Sequence, residues 1–140
     1  MSLYVLDSSV AVKWALPEPG TPEALALRDA ARNQIHELIA PDVFASEVAH
    51  TLTKAERRKI IPVGEALTHV MDILQAGPTL QSFLPLLPRA IEISSASRIA
   101  ITDCLFVALA EQENCMYVTA DAKLVKNLPA GYPIISLSDL

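Results

Sequence analysis

The chain enters its first predicted element with Leu3-Tyr-Val-Leu-Asp7-Ser-Ser9, a short apolar run of strand-forming residues that stops at a carboxylate. Asp7 and the serines after it form a polar stop that can also cap a helix, which we expect over residues 10–16. Pro17 and Gly20 then separate this helix from the next one. The stretch therefore predicts a strand that passes into a helix across an acidic residue, as in an α/β fold.

The rest of the chain repeats this alternation of short apolar strands with helices. Thr21 and Pro22 mark one helix start, with Thr21 as the N-cap and Pro22 at the first helical position. The predicted strands are 3–6, 37–40, 116–119 and 134–137, with 79–84 ambiguous between strand and loop, and the predicted helices are 10–16, 21–33, 41–59, 65–76, 88–98, 101–113 and 123–128. This order implies an α/β sandwich around a parallel sheet. Because the chain shows neither repeats nor a linker, we expect a single domain over residues 1–140.

The composition is that of a globular protein with an aliphatic core. Of the 140 residues, 51% are hydrophobic and 19% charged but only 5% are aromatic, so Val, Ile, Leu and Ala are expected to fill the interior. The net charge of −5 argues against non-specific binding of nucleic acid by the whole surface. It is compatible with a local basic patch beside an acidic centre.

The sequence pattern favours a cytoplasmic protein without a membrane anchor. It contains no apolar run of about 18 residues, the length of a transmembrane helix, and its first residues lack the basic region of a signal peptide. Cys104 and Cys115 both lie in apolar contexts, without the Cys/His spacing of a zinc site. We expect both cysteines to be reduced packing residues.

Four acidic residues stand at the edges of apolar segments, where a carboxylate is costly unless it has a role. They are Asp7, Glu47, Asp103 and Asp121. Taken singly, Asp7 is explained as a helix cap, Asp103 by the helix dipole and Asp121 as a turn residue. In open parallel sheets, however, ligands bind beyond the carboxyl ends of the strands. Because Asp7 and Asp121 follow strands and the other two acids lie in early turns of helices, we expect all four at one edge of the sheet.

Carboxylates gathered in this way suit a divalent cation. Mg²⁺ and Mn²⁺ take oxygen ligands and keep several waters, and without a cation the acids would repel one another and their pKa values would rise. A bound ion can activate and orient a water for attack on a phosphodiester. We therefore predict a Mg²⁺ or Mn²⁺ enzyme, with Asp7, Glu47 and Asp103 as the firmest ligands and Asp121 acting through water.

Further polar residues extend the predicted site. Ser9 and Thr119 each stand two residues from an acid and could hydrogen-bond a carboxylate or a metal-bound water, although capping or turn bonding explains them equally well. Lys54 and Arg58 follow Glu47 by seven and eleven residues, so a helix returns both to the Glu47 face, where they could bind a phosphate backbone. The alternative is a solvated basic helix end that interacts with the C-terminal dipole.

Two residues after the first acid are weaker candidates for the substrate site. Lys13 could add a phosphate contact and Trp14 a base stack, although packing is the stronger explanation for the indole. The three histidines show no metal-ligand pattern. For His50, one turn past Glu47, a surface or capping role is the stronger explanation.

Four motifs occur in a characteristic order along essentially the whole chain. They are Val5-Leu-Asp7-Ser-Ser9, Ser46-Glu47-Val48, Thr102-Asp103-Cys-Leu-Phe-Val-Ala-Leu-Ala110 and Val118-Thr-Ala-Asp121. None is specific alone, but their order and spacing resemble the PIN domain family, and most closely the VapC-type toxins of prokaryotic toxin–antitoxin pairs. The resemblance implies a three-layer α/β/α fold with a central parallel sheet. It also implies a Mg²⁺- or Mn²⁺-dependent ribonuclease, usually an endonuclease.

The resemblance also implies roles for individual residues and for partners. The family's acidic positions map onto the four acids named above, and its hydroxyl positions onto Ser9 and Thr119. It implies an RNA substrate, a homodimer and a small antitoxin that reaches into the site. Dimerisation would suit the leucine-rich segments 67–74 and 80–87. Many members carry a further acid shortly after the last one, where this chain has Ala122-Lys123-Leu124, which weakens the case for a tight second metal site.

Two other functions remain open from the sequence. The first is a PIN-fold protein that acts mainly by binding other proteins and has little or no catalytic activity. The second is a phosphotransfer domain, since Asp7 ends the first strand. A haloacid dehalogenase would need a second Asp where Ser9 stands, and a receiver domain would need paired acids near the N-terminus, where only Asp7 is present.

Overall fold

The structure, a computed structural model, describes all residues from Met1 to Leu140 and contains one five-stranded parallel sheet. The strands are β1 (Ser2–Leu6), β2 (His36–Pro41), β3 (Thr79–Gln81), β4 (Met116–Thr119) and β5 (Ile134–Ser136). The helices are α1 (Ser8–Ala11), α2 (Thr21–Arg32), α3 (Val43–Arg57), α4 (Glu65–Ala76), α5 (Leu87–Ser97), α6 (Ile101–Glu113) and α7 (Ala122–Asn127). Helices flank the sheet in a three-layer α/β/α arrangement, so the predicted fold class is confirmed.

The order of the strands places β1 at the centre of the sheet. The sheet runs β3-β2-β1-β4-β5, so the chain builds outward from β1 on one side and then returns to add β4 on the other. In β1 and β4, Tyr4 pairs with Met116 and Leu6 pairs with Val118. The reversal lies between these two strands, and the crevice beyond their carboxyl ends is where an open α/β sheet binds its ligands.

The core is built around α6, which is buried on all sides over Cys104–Ala110. A helix that is apolar all round belongs inside a protein, and this pattern is why α6 can lie against both β1 and β2. The core is not purely aliphatic as expected, because Phe44, Phe106 and Tyr117 are among its largest fully buried side chains. No single helix is both long and apolar enough to cross a bilayer. The helical segments Leu84–Ser97 and Ile101–Glu113 would be long and apolar enough together, but the chain bends by 118° between them.

Two local predictions are wrong at helix starts. Gly20, at φ 94°, is the N-cap of α2, while Thr21 is its first helical residue. The Thr21 hydroxyl is occupied by the preceding turn, since it accepts from the backbone N–H of Glu18 at 2.9 Å and donates to the carbonyl of Leu16 at 3.3 Å. The helix expected over 10–16 begins earlier, at Ser8, and continues only as a 3-10 turn over Val12–Trp14. Residues 79–84 form a strand only over Thr79–Gln81.

Candidate metal centre

The first acid, Asp7, is held at the crevice between β1 and β4. It follows β1 directly, its carboxylate is buried with 6% of the residue exposed, and its backbone N–H continues the ladder by donating to the carbonyl of Val118 at 3.0 Å. Three hydroxyls donate to the carboxylate. Ser9 Oγ and Thr119 Oγ1 reach Oδ2 at 2.5 and 2.7 Å, and the Tyr117 hydroxyl reaches Oδ1 at 2.8 Å. Hydrogen bonds to a charged acceptor are short and strong, so these donors fix the side chain.

The two predicted hydroxyls are themselves anchored by the backbone of the opposite segment. Ser9 Oγ accepts from the N–H of Ala120 at 3.0 Å, and Thr119 Oγ1 accepts from the N–H of Asp121 at 3.1 Å. Ser9 therefore serves the acid that stands two residues away in sequence. Thr119 donates across the sheet to Asp7 instead of to the side chain of its sequence neighbour Asp121. This network joins β1 and β4 at the point where both strands end.

The second acid, Glu47, projects from the second turn of α3 and is only partly exposed. Burial, followed by the charges of Asp7 and Asp103, raises the pKa of Glu47 to about 7, and the nearby Ser8 hydroxyl offsets part of this rise. Its Oε1 atom is buried and has no hydrogen-bond partner. An unpaired buried carboxylate oxygen is costly, so this atom is a candidate to receive a cation or a donor from a ligand.

Asp103 and Asp121 complete the cluster from α6 and from the loop after β4. Burial raises the pKa of Asp103 to about 6, with further contributions from the charges of Asp7 and Asp121. Asp121 is exposed and caps α7, because its Oδ1 accepts from the N–H groups of Lys123 and Leu124 at 3.0 and 3.2 Å. Its Oδ2 makes no protein hydrogen bond and can face a ligand. The acids therefore interact electrostatically although they span most of the chain.

The donor set fits a hydrated divalent cation better than a closed cage of protein ligands. No three acidic or histidine side chains are close enough to share one ion as they stand. After burial, the charges of neighbouring acids contribute to the raised pKa values of Glu47 and Asp103, which is consistent with carboxylates that lie near one another. The two observations agree for an ion that keeps several waters and uses one or two carboxylates directly, as Mg²⁺ does. The buried, unpaired Oε1 of Glu47 supports this fit.

An open polar depression lies beside Glu47 on α3, the helix that carries Lys54 and has Arg58 as its C-cap residue. It has a volume of about 430 Å³ and is lined by Ser8, Ser46, Glu47, His50 and Thr51. Further along α3, Lys54 is exposed and has no ion-pair partner, and Arg58 is the exposed C-cap residue of the helix. Neither forms an ion pair with another residue, and their contact with a phosphate backbone stays a prediction.

The residues just after α1 are occupied elsewhere. The ammonium of Lys13 pairs with Glu18 at 3.3 Å. The Trp14 indole donates to the carbonyl of Ala24 at 2.9 Å and packs against the core, so the packing explanation for this residue is the correct one. The structure thus places neither side chain in contact with the acidic cluster.

Two functional candidates were missed from the sequence, Tyr117 and Ser8. Tyr117 is fully buried, and burial together with the charge of Asp7 raises its pKa well above the usual value, so the hydroxyl stays a donor. The signal was available, because strand alternation puts Tyr117 on the same face of β4 as Thr119. Ser8 lies beside Glu47 and lines the depression. No periodic pattern predicts that contact, since it joins the start of α1 to α3.

Comparison with known proteins identifies the family. The family model described as "PIN domain" matches residues 4–127. The chain belongs to the PIN domain family. A curated relative, Ribonuclease VapC3 from Pyrobaculum aerophilum, is 28% identical over 128 residues, which is 90% of this chain and 95% of that protein. The four motifs that indicated a PIN domain therefore identified the family correctly.

Solved structures share the fold of this PIN domain across almost its whole length. PAE2754 from Pyrobaculum aerophilum superposes with a TM-score of 0.72 at 15% identity, covering 99% of this chain and 92% of that one. VapBC2 from Rickettsia felis, bound to a DNA fragment from its promoter, gives 0.65 at 18% identity, with coverages of 96% and 98%. FitAcB from Neisseria gonorrhoeae gives 0.61 at 14% identity, with 98% and 99%. At these identities the likeness concerns the fold.

Proposed function

We propose that this PIN domain is a Mg²⁺- or Mn²⁺-dependent ribonuclease, an endoribonuclease toxin that hydrolyses RNA phosphodiester bonds with an activated water. The observation that carries the proposal is the acidic cluster at the end of β1 and β4. Glu47 and Asp103 have raised pKa values there because they are partly buried near other carboxylates. Such a cluster is unfavourable for folding, and a cation that neutralises it explains why the chain retains it. The similarity to a ribonuclease of the family supports the same conclusion.

Each acid would have a distinct part in the reaction. A bound ion would offset the negative charge of the phosphate group and would lower the pKa of a water. Asp7 would hold the ion at a fixed point, because three hydroxyls orient its carboxylate. Glu47, whose buried Oε1 has no protein hydrogen-bond partner, would orient the attacking water and accept its proton. Asp103 would bind the ion beside Asp7, and Asp121 would reach it through a water.

Basic side chains would position the RNA. The depression lies beside Glu47 on α3, the helix that carries Lys54 and has Arg58 as its C-cap residue. Their charges would attract the phosphate backbone of a substrate that the acidic protein otherwise repels. Lys13 belongs to this group only if RNA binding breaks its ion pair with Glu18.

We further propose a small antitoxin as the physiological partner and a homodimer in the cytoplasm. VapBC2 and FitAcB, which share the fold, support an antitoxin partner. Dimerisation is favoured by large apolar side chains that remain exposed, including Leu67 at 71% and Leu84 at 64%. The alternative of an inactive PIN-fold binding protein is not favoured, because the curated relative is a ribonuclease.

The test is Asp103→Asn assayed for Mn²⁺-dependent cleavage of RNA. We expect the rate of cleavage to fall by at least about 100-fold. Substituting a residue that merely hydrogen-bonds a metal ligand typically lowers activity by about 10- to 100-fold, and Asp103 is proposed as a ligand itself. Circular dichroism should show an unchanged fold. Asp72→Asn is the matched control, because Asp72 is exposed on α4 and makes no ion pair. Cleavage by Asp103→Asn at the wild-type rate would show that the assigned site is wrong.

A further inference from the structure

A second depression lies at the carboxyl ends of β4 and β5, and we call it the β5 pocket. It has a volume of about 340 Å³ and is defined by Lys13, Gly20, Ala120, Ala122, Ser136 and Ser138. Two of these residues are the chain neighbours of Asp121. Along the strand order β2-β1-β4-β5, the depression beside Glu47 belongs to the helix after β2, whereas this pocket belongs to the end of β5. The acids that follow β1 and β4 therefore lie between the two depressions.

The β5 pocket contains a largely buried lysine. The side chain of Lys13 is only 13% exposed, and its one ion pair is a single contact of 3.3 Å with Glu18, whose side chain is 40% exposed. Lysine is rarely buried to this extent unless it is well paired. An ammonium group has three N–H donors, and Glu18 accepts from one of them. The charge of Lys13 is therefore poorly compensated by the protein and suits an anion that enters the pocket.

The stem of Lys13 holds the ammonium group at one wall of the pocket. Its Cε and Cδ atoms pack against Gly20, where an added Cβ would lie 3.4 and 3.5 Å from them. Gly20 also has a φ of 94°, so both the close approach and the left-handed backbone favour glycine there. A cation that is already packed in place loses less conformational freedom when it binds a ligand.

The end of β5 supplies the other polar groups of the pocket. The hydroxyls of Ser136 and Ser138 lie 3.0 Å apart. Hydroxyls both donate and accept hydrogen bonds, so this pair can contact a sugar or the edge of any base. Leu137, between them, is buried and lines the same pocket, where it offers an apolar surface. A cation, hydroxyls and an apolar surface in one pocket match the phosphate, the polar edges and the ring face of a nucleotide.

We propose that the β5 pocket is a subsite for one nucleotide of the RNA, with Lys13 on its phosphate and the Ser136 and Ser138 hydroxyls on its sugar or base. The phosphate replaces Glu18 on the ammonium group. RNA that occupies both depressions passes over the acids between them, so the β5 pocket holds the substrate on the side away from Lys54. The inference rests on the proposed function and adds a binding site for the substrate.

The experiment titrates the protein in EDTA with each of the common ribonucleoside 5′-monophosphates and follows the backbone amide chemical shifts by NMR. EDTA prevents phosphate from binding to the acids through a metal ion. We expect shifts at Gly20 and Ala120. Lys13→Met keeps an apolar stem and should raise the Kd by about 10-fold or more, because a hydrogen bond between charged groups is lost. Glu18→Gln should lower the Kd by roughly 2- to 5-fold, because it removes the carboxylate that competes for the ammonium group.

The opposite signs separate binding from stability. Both substitutions break the same ion pair, so a purely structural role would change the Kd in the same direction in both variants. Lys126→Met is the control, because Lys126 is exposed on α7 and makes no ion pair.

Three results would overturn the inference. A wild-type Kd in Lys13→Met, or a change of the same sign in both variants, would do so and leave the proposed function standing if the wild type cleaves RNA. Acetate or inorganic phosphate that binds as tightly as the nucleotides would show a general anion site instead of a nucleotide subsite. A wild type that does not cleave RNA with Mn²⁺ would overturn the proposed function, and the subsite with it.

Discussion

Glu47→Gln is expected to stabilise the metal-free protein at alkaline pH and to change little in acid. The pKa of Glu47 is raised from 4.5 to about 7, first by burial and then by the charges of Asp7 and Asp103. The folded state therefore binds this proton more tightly than the unfolded chain does. Stability is unaffected below about pH 4.5, falls as the pH rises to about 7, and is constant above that. Glutamine carries no charge, so it is neither repelled by Asp7 and Asp103 nor buried as an ion, and the loss of stability at high pH disappears.

The size of the effect follows from the two pKa values. The interval from 4.5 to about 7, at about 1.4 kcal/mol for each tenfold change in proton affinity, sets an upper limit of about 3.5 kcal/mol. Because Glu47 is partly exposed, solvent screening reduces this to about 1–2 kcal/mol. For a chain of 140 residues, a gain in that range corresponds to a rise of roughly 5 °C in Tm.

Urea unfolding in EDTA measures the gain in stability at pH 8, where it should be complete, and at pH 4.5, where it should be small. Glu37→Gln is the matched control, because Glu37 is exposed on β2 and makes no ion pair. If Glu47→Gln unfolds at the wild-type urea concentration at pH 8, the charge of Glu47 does not destabilise the protein. If the gain in stability is the same at both pH values, the effect does not come from that charge.

Three further outcomes follow from the same geometry. Mn²⁺ should raise the Tm of the wild type more at pH 8 than at pH 5, where protons compete for Glu47 and Asp103, and thermal scans at both pH values check this. Thr119→Val should cost about 1.5–3 kcal/mol of unfolding free energy in urea, because it removes a buried hydrogen bond to a charged acceptor. Lys54→Ala should weaken RNA binding across sequences and reduce the slope of log Kd against log salt by about 1, while the Tm stays unchanged. A salt slope equal to that of the wild type would show that Lys54 does not contact the RNA backbone.

The sequence predicted best those elements whose ends are marked chemically. Helix α4 begins and ends as expected because glycines at 64 and 77, both at positive φ, stand on either side of it. Helix α6 and strand β4 also begin and end at the predicted residues, and Asn114, at φ 52°, is the left-handed C-cap of α6 between them. The N-cap of α2 was predicted wrongly because Thr21 and Gly20 can both precede a helix. Only the contacts of the Thr21 hydroxyl with the preceding turn decide between them.

The acids of the candidate site could be selected from the sequence, but the contacts that orient them could not. Each acid follows a strand or lies in the first two turns of a helix, and the parallel sheet brings such positions to one edge. The donors to Asp7, by contrast, depend on β4 lying beside β1, and a pattern within one segment carries no information about which strands are neighbours. Alternation puts Tyr117 on the same face of β4 as Thr119, but β4 alone does not show that the Tyr117 hydroxyl reaches a carboxylate 110 positions away.

This long-range dependence couples the site to the completion of the sheet. Before β4 pairs with β1, Asp7 retains only Ser9 as a side-chain donor, because Tyr117 and Thr119 both arrive with β4. Burying Asp7 without these partners would cost several kcal/mol, so the pairing of β4 with β1 supplies the donors that make the buried acid tolerable. The residues that orient the candidate metal ligand are thus part of what joins the two halves of the sheet. Substitutions at Thr119 should consequently change metal affinity and unfolding free energy together, whereas Asp121→Asn, which keeps an oxygen to cap α7, should change mainly the affinity.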